Sequence, residues 1–419
     1  MQIPRPRSRR RAAGRVLRTA GSIAVACTLA LSAGCSSSDA HLSSAEDVPA
    51  PAGAYPGQKA VGSPVHIGLI VPEDGPASSH PEEREAAQAA AQYANDNLAG
   101  IAGHQIELVI CKSKEDPASA RDCANRMVES KVAAVVVAST SQGDAMAPVI
   151  TGAGIPYVAS SGSTPTELNS KNAFIWTGGY PADLAGMAAY AKQRGYKHVT
   201  AFVIDSGSIV SATSSIGGKA FDAAGVELTV IPVPPGTADS TPLVDAGLRT
   251  KPDAVALAID PVLCTSVLES LETLGTTAHK MSLQACLDPS TQMAVGADAM
   301  EGASVFTTSD PDSDAAESML YRSIMHTYTP STPTAGFAPL GYQGMMALIR
   351  ATQGVQGDLS PAAFATAIAA ARDVPLPMGG GLTFTCDGTA VPGFPSVCSA
   401  RSIVLTVVDG KGTNPQTAG

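Results

Sequence analysis

Short apolar runs alternate with longer alanine-rich stretches along this chain from Val65 onward. The runs at His66–Val71, Gln105–Ile110 and Ala133–Val137 are rich in valine, isoleucine and leucine, which is typical of strands buried on both faces. The stretch Glu82–Leu98 has the length and composition of a helix. This alternation is repeated about a dozen times, which predicts an α/β fold with parallel sheets covered by helices.

The predicted elements fall into two successive doubly wound units. The first ends with a strand at Pro156–Ala159, and the second begins near Pro181. Roughly 350 folded residues are too many for one ordinary core, so two Rossmann-like lobes are expected. After Gly302 the pattern continues with a strand, three helices and two final strands, the last at Ser402–Val408, and residues 412–419 are predicted to form a loose tail.

The first 34 residues have the order of a signal peptide. Seven arginines and no acidic residue lie between Arg5 and Arg18. An uncharged, mostly apolar stretch of ~16 residues follows, which is shorter than the ~20 needed to span a bilayer. Leu31–Cys35 resembles the bacterial lipobox, in which the cysteine is acylated, so we expect an extracytoplasmic lipoprotein anchored through Cys35 to the outer face of the cell membrane. The alternative is a plain signal peptide that leaves Cys35 as a free thiol.

Residues 35–62 are mainly serine, alanine, proline and glycine and cannot bury a core, which predicts a flexible tether. Removal of the signal peptide takes away seven arginines and changes the formal net charge from −10 to −17. A surface this acidic is not expected to bind nucleic acid or anionic lipid. The only membrane contact expected is therefore the lipid anchor.

Six of the eight cysteines lie in the predicted folded part. Six cysteines allow about fifteen pairings, and the sequential one is favoured because it closes only short loops and suits an exported protein. A zinc site would need close CxxC spacing or a histidine partner, and neither occurs, so no metal or other cofactor is expected. The favoured disulfides join Cys111 with Cys123, Cys264 with Cys286, and Cys386 with Cys398.

Several local patterns, taken in order, resemble those of a known family. Ile67–Pro72 is a strand followed by proline, Ala133–Ser141 is a strand followed by a hydroxyl-bearing loop, and Gly154–Pro165 contains the next strand and its serine-rich turn. Glu301–Gly302 and Gly381–Phe384 match later landmarks. In this order and spacing they resemble the type I periplasmic binding proteins, in particular the branched-chain amino acid binders that serve ABC transporters.

The resemblance implies a Venus-flytrap fold, in which two doubly wound parallel-sheet lobes are joined by a three-strand hinge. It implies a first lobe of residues 63–177 and 304–381, and a second lobe of residues 178–303 and 382–411. A small ligand would be bound between the lobes, which close on it. We expect a monomer whose partners are this ligand, an amino acid or related polar metabolite, and the permease of an ABC transporter.

Hydroxyl side chains follow two neighbouring predicted strands of the first lobe. Ser139, Thr140 and Ser141 follow one strand, and Ser161 and Ser163 follow the next. Ligands of open parallel sheets lie beyond the carboxyl ends of the strands, where helix N-termini present unpaired N–H groups. Neutral donors from two loops can bind a carboxylate without a buried cation, and by match to the family Thr140, Ser161 and Ser163 are the preferred contacts. The alternative is that these residues cap helices and shape turns.

The second lobe offers fewer polar groups at its strand ends. Ser206, Asp260 and Asp288 are the candidates, although each is also explained by a cap or a turn. In the branched-chain amino acid binders an acidic residue holds the ligand's ammonium group after the fourth strand of this lobe, where this chain has Ala285 or Cys286. That departure weakens the case for a standard aliphatic amino acid, and Asp288 is the nearest substitute.

The sequence contains no GxSxG, HExxH, SxxK or P-loop pattern. The seven histidines are scattered, and none has an acidic neighbour at the spacing of a triad or a metal site. A binding protein is therefore predicted rather than an enzyme. The alternatives are the ligand-sensing lobe of a signalling receptor, which would use the same fold, and an exported hydrolase whose triad is assembled from distant segments. The favoured function is a lipid-anchored solute-binding protein of an ABC importer that captures a small polar or carboxylate-bearing, amino-acid-like ligand.

Overall fold

The computed structural model describes residues 50–75 and 79–418. The predicted signal peptide, the lipidation site Cys35 and residues 35–49 of the predicted tether lie outside the described residues. The described chain forms two lobes, each built on a mainly parallel sheet covered by helices. None of the helices in these ranges is long and apolar enough to cross a membrane.

The first lobe is built on five parallel strands: Gly62–Val71 (β1), His104–Lys112 (β2), Ala134–Val137 (β3), Tyr157–Ala159 (β4) and Ala173–Ile175 (β5). They lie in the order β2-β1-β3-β4-β5. All residues of β3 and β4 are buried, as expected for strands covered by helices on both faces.

The second lobe begins with five further parallel strands: His198–Ile204 (β6), Glu227–Val233 (β7), Ala254–Ala258 (β8), His279–Leu283 (β9) and Ser304–Thr307 (β10). A separate two-stranded ribbon follows in the chain, formed by Val374–Pro375 (β11) and Thr383–Phe384 (β12). Two antiparallel strands, Ser402–Val408 (β13) and Lys411–Ala418 (β14), then complete the second sheet. Its order is β14-β13-β10-β9-β8-β6-β7.

Helices cover the faces of the two sheets. Several begin at a proline that follows a capping residue, and the side chains of Asp116, Thr164 and Asp260 each accept a backbone N–H of the first turn. The helices are Pro81–Asn97 (α1), Pro117–Glu129 (α2), Gly143–Gly152 (α3), Pro165–Asn169 (α4), Gly179–Arg194 (α5), Gly207–Ala212 (α6), Gly218–Ala224 (α7), Thr241–Leu248 (α8), Pro261–Thr273 (α9), Pro289–Val295 (α10), Ala316–Tyr328 (α11), Ala338–Ala351 (α12) and Pro361–Ala369 (α13). A π-helical turn, Thr213–Gly217, joins α6 to α7.

Helices α1 and α12 of the first lobe cross at very close range. A Cβ atom added at Gly341 of α12 would lie 2.0 Å from the carbonyl oxygen of Glu83 in α1. Glycine is required there because only a residue without Cβ lets the two backbones approach this closely. The crossing returns the chain to the first lobe after β10, so that one cleft can be lined by segments distant in sequence.

Replacing Gly341 by alanine should lower the free energy of unfolding by about 2–3 kcal/mol, because the new methyl group meets backbone that cannot rotate away. The matched control is Gly218→Ala in α7, where an added Cβ meets no atom of the described residues within 4 Å. The control should be neutral or more stable by ~0.5–1 kcal/mol. Urea denaturation of both variants checks this, and equal stability of the two would contradict the close crossing.

Strand pairing corrects two predicted lobe boundaries. Ser304–Thr307 pairs in parallel with β9, so this segment belongs to the second lobe and not to the first. Residues 396–398 belong to the first lobe, because the N–H of Ile175 donates to Ser396 O at 2.8 Å and the N–H of Cys398 donates to Ile175 O at 2.8 Å. The disulfide to Cys398 ties Cys386 to the same lobe. The predicted boundaries were displaced because the apolar pattern shows that a strand exists but not which sheet it joins.

Both ends of the described chain are more ordered than predicted. Residues 412–418, expected as a loose tail, form most of β14 and pair antiparallel with β13. In the predicted tether, the N–H of Gln58 donates to Asn97 O at 3.2 Å and that of Ala60 donates to Asn95 O at 2.7 Å. The described end of the predicted tether is therefore bound to the end of α1.

Three disulfides join the cysteines that the sequence favoured as pairs, which confirms that prediction. Cys111–Cys123 ties β2 to α2, and Cys264–Cys286 ties α9 to the turn after β9. Both lie near carboxyl ends of strands. They therefore brace the region of each lobe from which the loops of the site project.

Candidate functional site

A cavity of about 370 Å³ lies between the two lobes, at the carboxyl ends of the strands. The first lobe lines it with the loops that follow β1 to β4, and the second lobe lines it with the ends of β6 to β10 and the loops after them. Open parallel sheets bind ligands at this edge, because helix N-termini and polar loop residues converge there. We call this cavity the cleft.

The structure brings seven of the eight predicted ligand residues to the cleft: Ser139, Thr140, Ser141, Ser161, Ser163, Ser206 and Asp260. Their contact with a ligand stays a prediction. Asp288 does not line the cleft, and its Oδ1 accepts bonds from the N–H and the hydroxyl of Ser290, at 2.8 Å and 2.5 Å. Asp288 is the cap of α10, and it lines a neighbouring cavity together with His80 and Asp260, so its contact with a ligand also stays a prediction.

A carboxylate of the protein occupies the first hydroxyl loop. Oε1 of Glu115 accepts the hydroxyl of Thr140 at 2.7 Å. Oε2 of Glu115 accepts the hydroxyl of Ser141 at 2.7 Å and the backbone N–H of Ser141 at 3.0 Å. Two of the residues predicted to hold a ligand's carboxylate, Thr140 and Ser141, thus already hold a carboxylate from the same chain.

The turn after β2 carries Glu115 into this position. Lys114 and Glu115 have φ angles of 51° and 53°, in the left-handed region that residues other than glycine and asparagine rarely adopt. The Cys111–Cys123 disulfide flanks the turn on both sides. Two successive residues in this conformation, braced by a disulfide, indicate that the placement of Glu115 is specified by the fold.

A second carboxylate engages Ser139. The hydroxyl of Ser139 donates to Oε1 of Glu83 at 2.5 Å, and Glu83 is fully buried in the first turn of α1. Burial raises the pKa of Glu83 well above its usual value, and the bond from Ser139 only partly opposes that rise. The hydroxyl of Ser139 is therefore bonded to Glu83 in the wall of the cleft.

The second hydroxyl turn is organised by Glu167 of α4. Its carboxylate accepts the hydroxyl of Tyr157 at 2.6 Å, the N–H of Ser163 at 3.2 Å, and the N–H and hydroxyl of Thr164 at 3.0 Å and 2.9 Å. Burial raises the pKa of Glu167, and these bonds oppose the rise. The hydroxyl of Ser163 donates to Thr140 O at 3.1 Å, so the two hydroxyl loops are also joined to each other.

The second lobe contributes buried polar atoms that have no partner among the described residues: Asp183 Oδ1, Asp260 Oδ2 and Gln284 Nε2. All three residues line the cleft. The remaining atoms of two of them are engaged, since Asp260 Oδ1 accepts the N–H of Leu263 at 2.9 Å and Gln284 Oε1 accepts the hydroxyl of Thr307 at 2.7 Å. Ser206 accepts the N–H of Ile209 at 3.4 Å as the cap of α6.

Burial determines the titration of the two acids in this lobe. Asp183 is 9% exposed, and burial alone raises its pKa from 3.8 to about 7. Burial also raises the pKa of Asp260, while its bond from Leu263 and the nearby His80 oppose that rise. An acid held in this way gains most from a cationic neighbour, because such a neighbour stabilises the charged form that burial disfavours.

The other walls of the cleft are mostly apolar, and no lysine or arginine lines it within residues 50–75 and 79–418. Among the described residues, His80 is the only basic side chain of the lining. Its ring stacks on Phe337 with centroids 3.9 Å apart, and its Nδ1 lies 3.5 Å from Oε1 of Glu82. The larger apolar residues are Tyr180, Ile204, Ile209, Ile259, Leu283, Phe306, Phe337 and Leu340.

The sequence interpretation missed Glu115, Asp183 and Gln284 as cleft residues. Glu115 had a usable signal, since it follows the carboxyl end of a predicted strand between two paired cysteines. Asp183 had none, because it lies in the second turn of α5 and its direction depends on how that helix packs. Trp176, the only tryptophan of the chain, does not line the cleft: it is fully buried and its indole N–H donates to Gly344 O at 3.1 Å.

A family model described as periplasmic binding protein matches residues 64–397 of this chain. No curated protein matches the chain significantly. The matched range contains all the loops that line the cleft.

Solved structures of low sequence identity share the fold. The leucine binding protein LivK from Thermotoga maritima has a TM-score of 0.70 at 20% identity, covering 85% of this chain and 99% of that one. The fatty acid ABC transporter substrate-binding protein from Thermomonospora curvata has a TM-score of 0.72 at 16% identity, covering 86% of this chain and 92% of that one. The branched-chain amino acid transporter substrate binding protein LivJ from Streptococcus pneumoniae, in complex with isoleucine, has a TM-score of 0.70 at 18% identity, covering 84% of this chain and 99% of that one. At these identities the likeness extends to the fold alone.

Proposed function

This chain belongs to the periplasmic binding protein family, and we propose that it is the lipid-anchored solute-binding protein of an ABC importer. The type I resemblance and the α/β fold of two lobes, both predicted from the sequence, are confirmed. In the proposed function a monomer captures a small polar ligand in the cleft by closure of the lobes and delivers it to a permease. The lipid on Cys35 keeps it at the outer face of the cell membrane.

The observation that carries this proposal is the cleft with its three unpartnered polar groups. A buried polar atom without a partner costs about 1–3 kcal/mol, so folds rarely retain several of them at one place without a use. Asp183, Asp260 and Gln284 all line one cavity of about 370 Å³, which lies in the usual range of small-molecule sites. A bound ligand would supply the missing partners.

The solved structures that share the fold are named for leucine, for fatty acid and, in one complex, for isoleucine. The two amino acids are zwitterions, whereas a fatty acid is an anion without an ammonium group. The fold therefore supports a small organic ligand but does not select one, and the selection depends on the side chains of this cleft.

Ligand binding is tested by measuring the melting temperature of the mature protein against a broad metabolite library that covers amino acids, amides, amines, ureas and aromatic acids. We expect at least one compound to raise the melting temperature, because a ligand that binds only the folded state stabilises it by mass action. Small-angle X-ray scattering with that compound should show a smaller radius of gyration as the lobes close. A library without any stabilising compound would contradict the proposed function.

The anchor is tested by replacing Cys35 with serine in the full chain. We expect the variant to leave the membrane fraction and the detergent phase, because no other segment of the mature chain is predicted to hold it there. Cys27→Ser is the matched control, since Cys27 lies inside the predicted signal peptide and its loss should leave the anchor intact. Retention of the Cys35 variant in the membrane fraction would exclude lipidation at this residue as the anchor.

A further inference from the structure

We infer, on the premise of the proposed function, that the ligand is a small amphipathic cation without a carboxylate, whose amine or amidine group binds the buried carboxyl group of Asp183 in the second lobe. Its apolar part would pack against the aliphatic and aromatic wall of the cleft. This narrows the ligand class that the sequence predicted, which included carboxylate-bearing molecules.

The hydroxyl loop of the first lobe already binds a carboxylate. Thr140 and Ser141 donate three bonds at 2.7–3.0 Å, and all three end on the Glu115 carboxylate. A ligand carboxylate would have to displace Glu115 from a turn that is braced by the Cys111–Cys123 disulfide. The hydroxyls of Thr140 and Ser141, two of those predicted to recognise a carboxylate, are thus engaged by the protein itself.

The charged side chains of the cleft favour a cation over a carboxylate. Glu115, Asp183 and Asp260 line one cleft, and no lysine or arginine lines it in the described part of the chain. A ligand carboxylate placed there would find no lysine or arginine partner and would further disfavour ionisation of the acids already present. A cation would meet only attraction from these three residues.

The second lobe presents polar atoms to the cleft that a cationic ligand could pair with. Asp183 Oδ1 and Asp260 Oδ2 are buried acceptors without a donor among the described residues, and Asp183 is 9% exposed. An ammonium or amidinium group supplies donors and positive charge together, and charge-assisted bonds of this kind are about twice as strong as neutral ones. Gln284 Nε2 is an unpartnered donor, so the ligand is expected to carry a hydroxyl or carbonyl acceptor as well.

The experiment compares compounds that differ only in charged groups. Two matched quartets serve as probes: phenylalanine, phenylalaninamide, phenethylamine and 3-phenylpropionate, and the corresponding leucine series. They are measured together with the broad library, sorted into cationic, zwitterionic, neutral and anionic compounds, by thermal shift and calorimetry on the mature protein. We expect the stabilising compounds to be cationic, and within a quartet that binds, the amine or amide to exceed the amino acid and the acid.

Glu115→Ala provides a readout that a merely structural residue would not give. Removing this side chain frees the Thr140 and Ser141 donors, so a zwitterion should gain roughly tenfold or more in affinity relative to the wild type. Asp183→Asn should weaken the cationic ligand by roughly tenfold or more while leaving the fold intact.

The outcomes separate the two proposals. Preferential binding of a zwitterion, an anion or a neutral compound by the wild-type protein would overturn the cationic class while leaving a solute-binding function in place. The absence of any stabilising compound in the whole library would overturn the proposed function, and the inference with it. If Glu115→Ala does not fold, the wild-type comparison of charge classes still decides the inference.

Discussion

Replacing Asp183 by asparagine should raise the free energy of unfolding at pH 8 by up to about 4 kcal/mol. The substitution keeps the shape of the side chain and removes a carboxylate whose Oδ1 has no partner among the described residues. Burial raises the pKa of this carboxyl from 3.8 to about 7, so ionising it inside the folded protein is unfavourable. Asparagine does not ionise and therefore avoids that cost.

The stability that the Asp183→Asn variant gains over the wild type should increase as the pH rises. Between about pH 4 and pH 7 the folded state keeps the proton of Asp183 while the unfolded chain releases it. The unfolded state then binds fewer protons, so this carboxyl lowers the stability of the wild type by up to ~1.4 kcal/mol for each unit of rising pH. The difference between variant and wild type should thus be small at pH 4 and complete by about pH 8.

Urea denaturation of both proteins at pH 4.5, 6 and 8 measures this difference. The matched control is Asp222→Asn, an exposed aspartate on α7, for which no comparable pH-dependent gain is expected. A variant that is no more stable than the wild type at pH 8, or whose gain is the same at all three values, would show that Asp183 is stabilised in the folded protein by a partner.

Because Asp183 is expected to destabilise the fold at neutral pH, we infer that it has a functional role. Proteins tolerate a buried, unpaired charge mainly at functional sites, where its cost is offset when a ligand binds. The same Asp183→Asn variant that we expect to be more stable is also expected to lose affinity for a cationic ligand. Opposite changes in stability and affinity from one substitution would link the burial of this acid to binding.

The sequence was sufficient for the parts of the site that follow strand ends. Ser139 to Ser141 and Asp260 reach the cleft because a strand buried on both faces must run to the edge of its sheet, and whatever follows it lies at that edge. The sequence was not sufficient to predict which partners these groups bind. Glu115 meets Thr140 and Ser141 only because β2 lies beside β1 and next but one to β3, which depends on strand order and not on local pattern.

The last strand, β14, forms although its own sequence does not predict a strand. Lys411–Ala418 is polar and contains Pro415, which argues locally against a strand. It forms one at the edge of the second sheet, where a partner is needed on one side only, and the register shifts between Val404 and Thr406 of β13 opposite the proline. The apolar β13 supplies the template, so tertiary context and not local propensity decides this element.

Truncating Glu167 to alanine should have the opposite effect from the Asp183 variant and lower the free energy of unfolding by about 3–5 kcal/mol. Both residues are buried acids, but Glu167 accepts four hydrogen bonds, from Tyr157, Ser163 and Thr164. The hydroxyls can rotate toward other acceptors, whereas the backbone N–H groups of Ser163 and Thr164 cannot. Each N–H left buried without an acceptor costs about 1–3 kcal/mol, and the missing side chain leaves a cavity in addition.

Glu167→Gln is the matched comparison and should lose much less stability. Its amide oxygen can replace the oxygen that accepts the bonds from Ser163 and Thr164, and the Tyr157 hydroxyl can accept from the amide N–H₂. Denaturation at pH 7 measures the stability of both variants, and calorimetry with the ligand found for the wild type measures binding. The Ser163 turn lines the cleft, so the alanine variant should also bind that ligand more weakly than the glutamine variant does. Equal losses of stability would mean that the charge of Glu167, and not its hydrogen bonds, holds the turn.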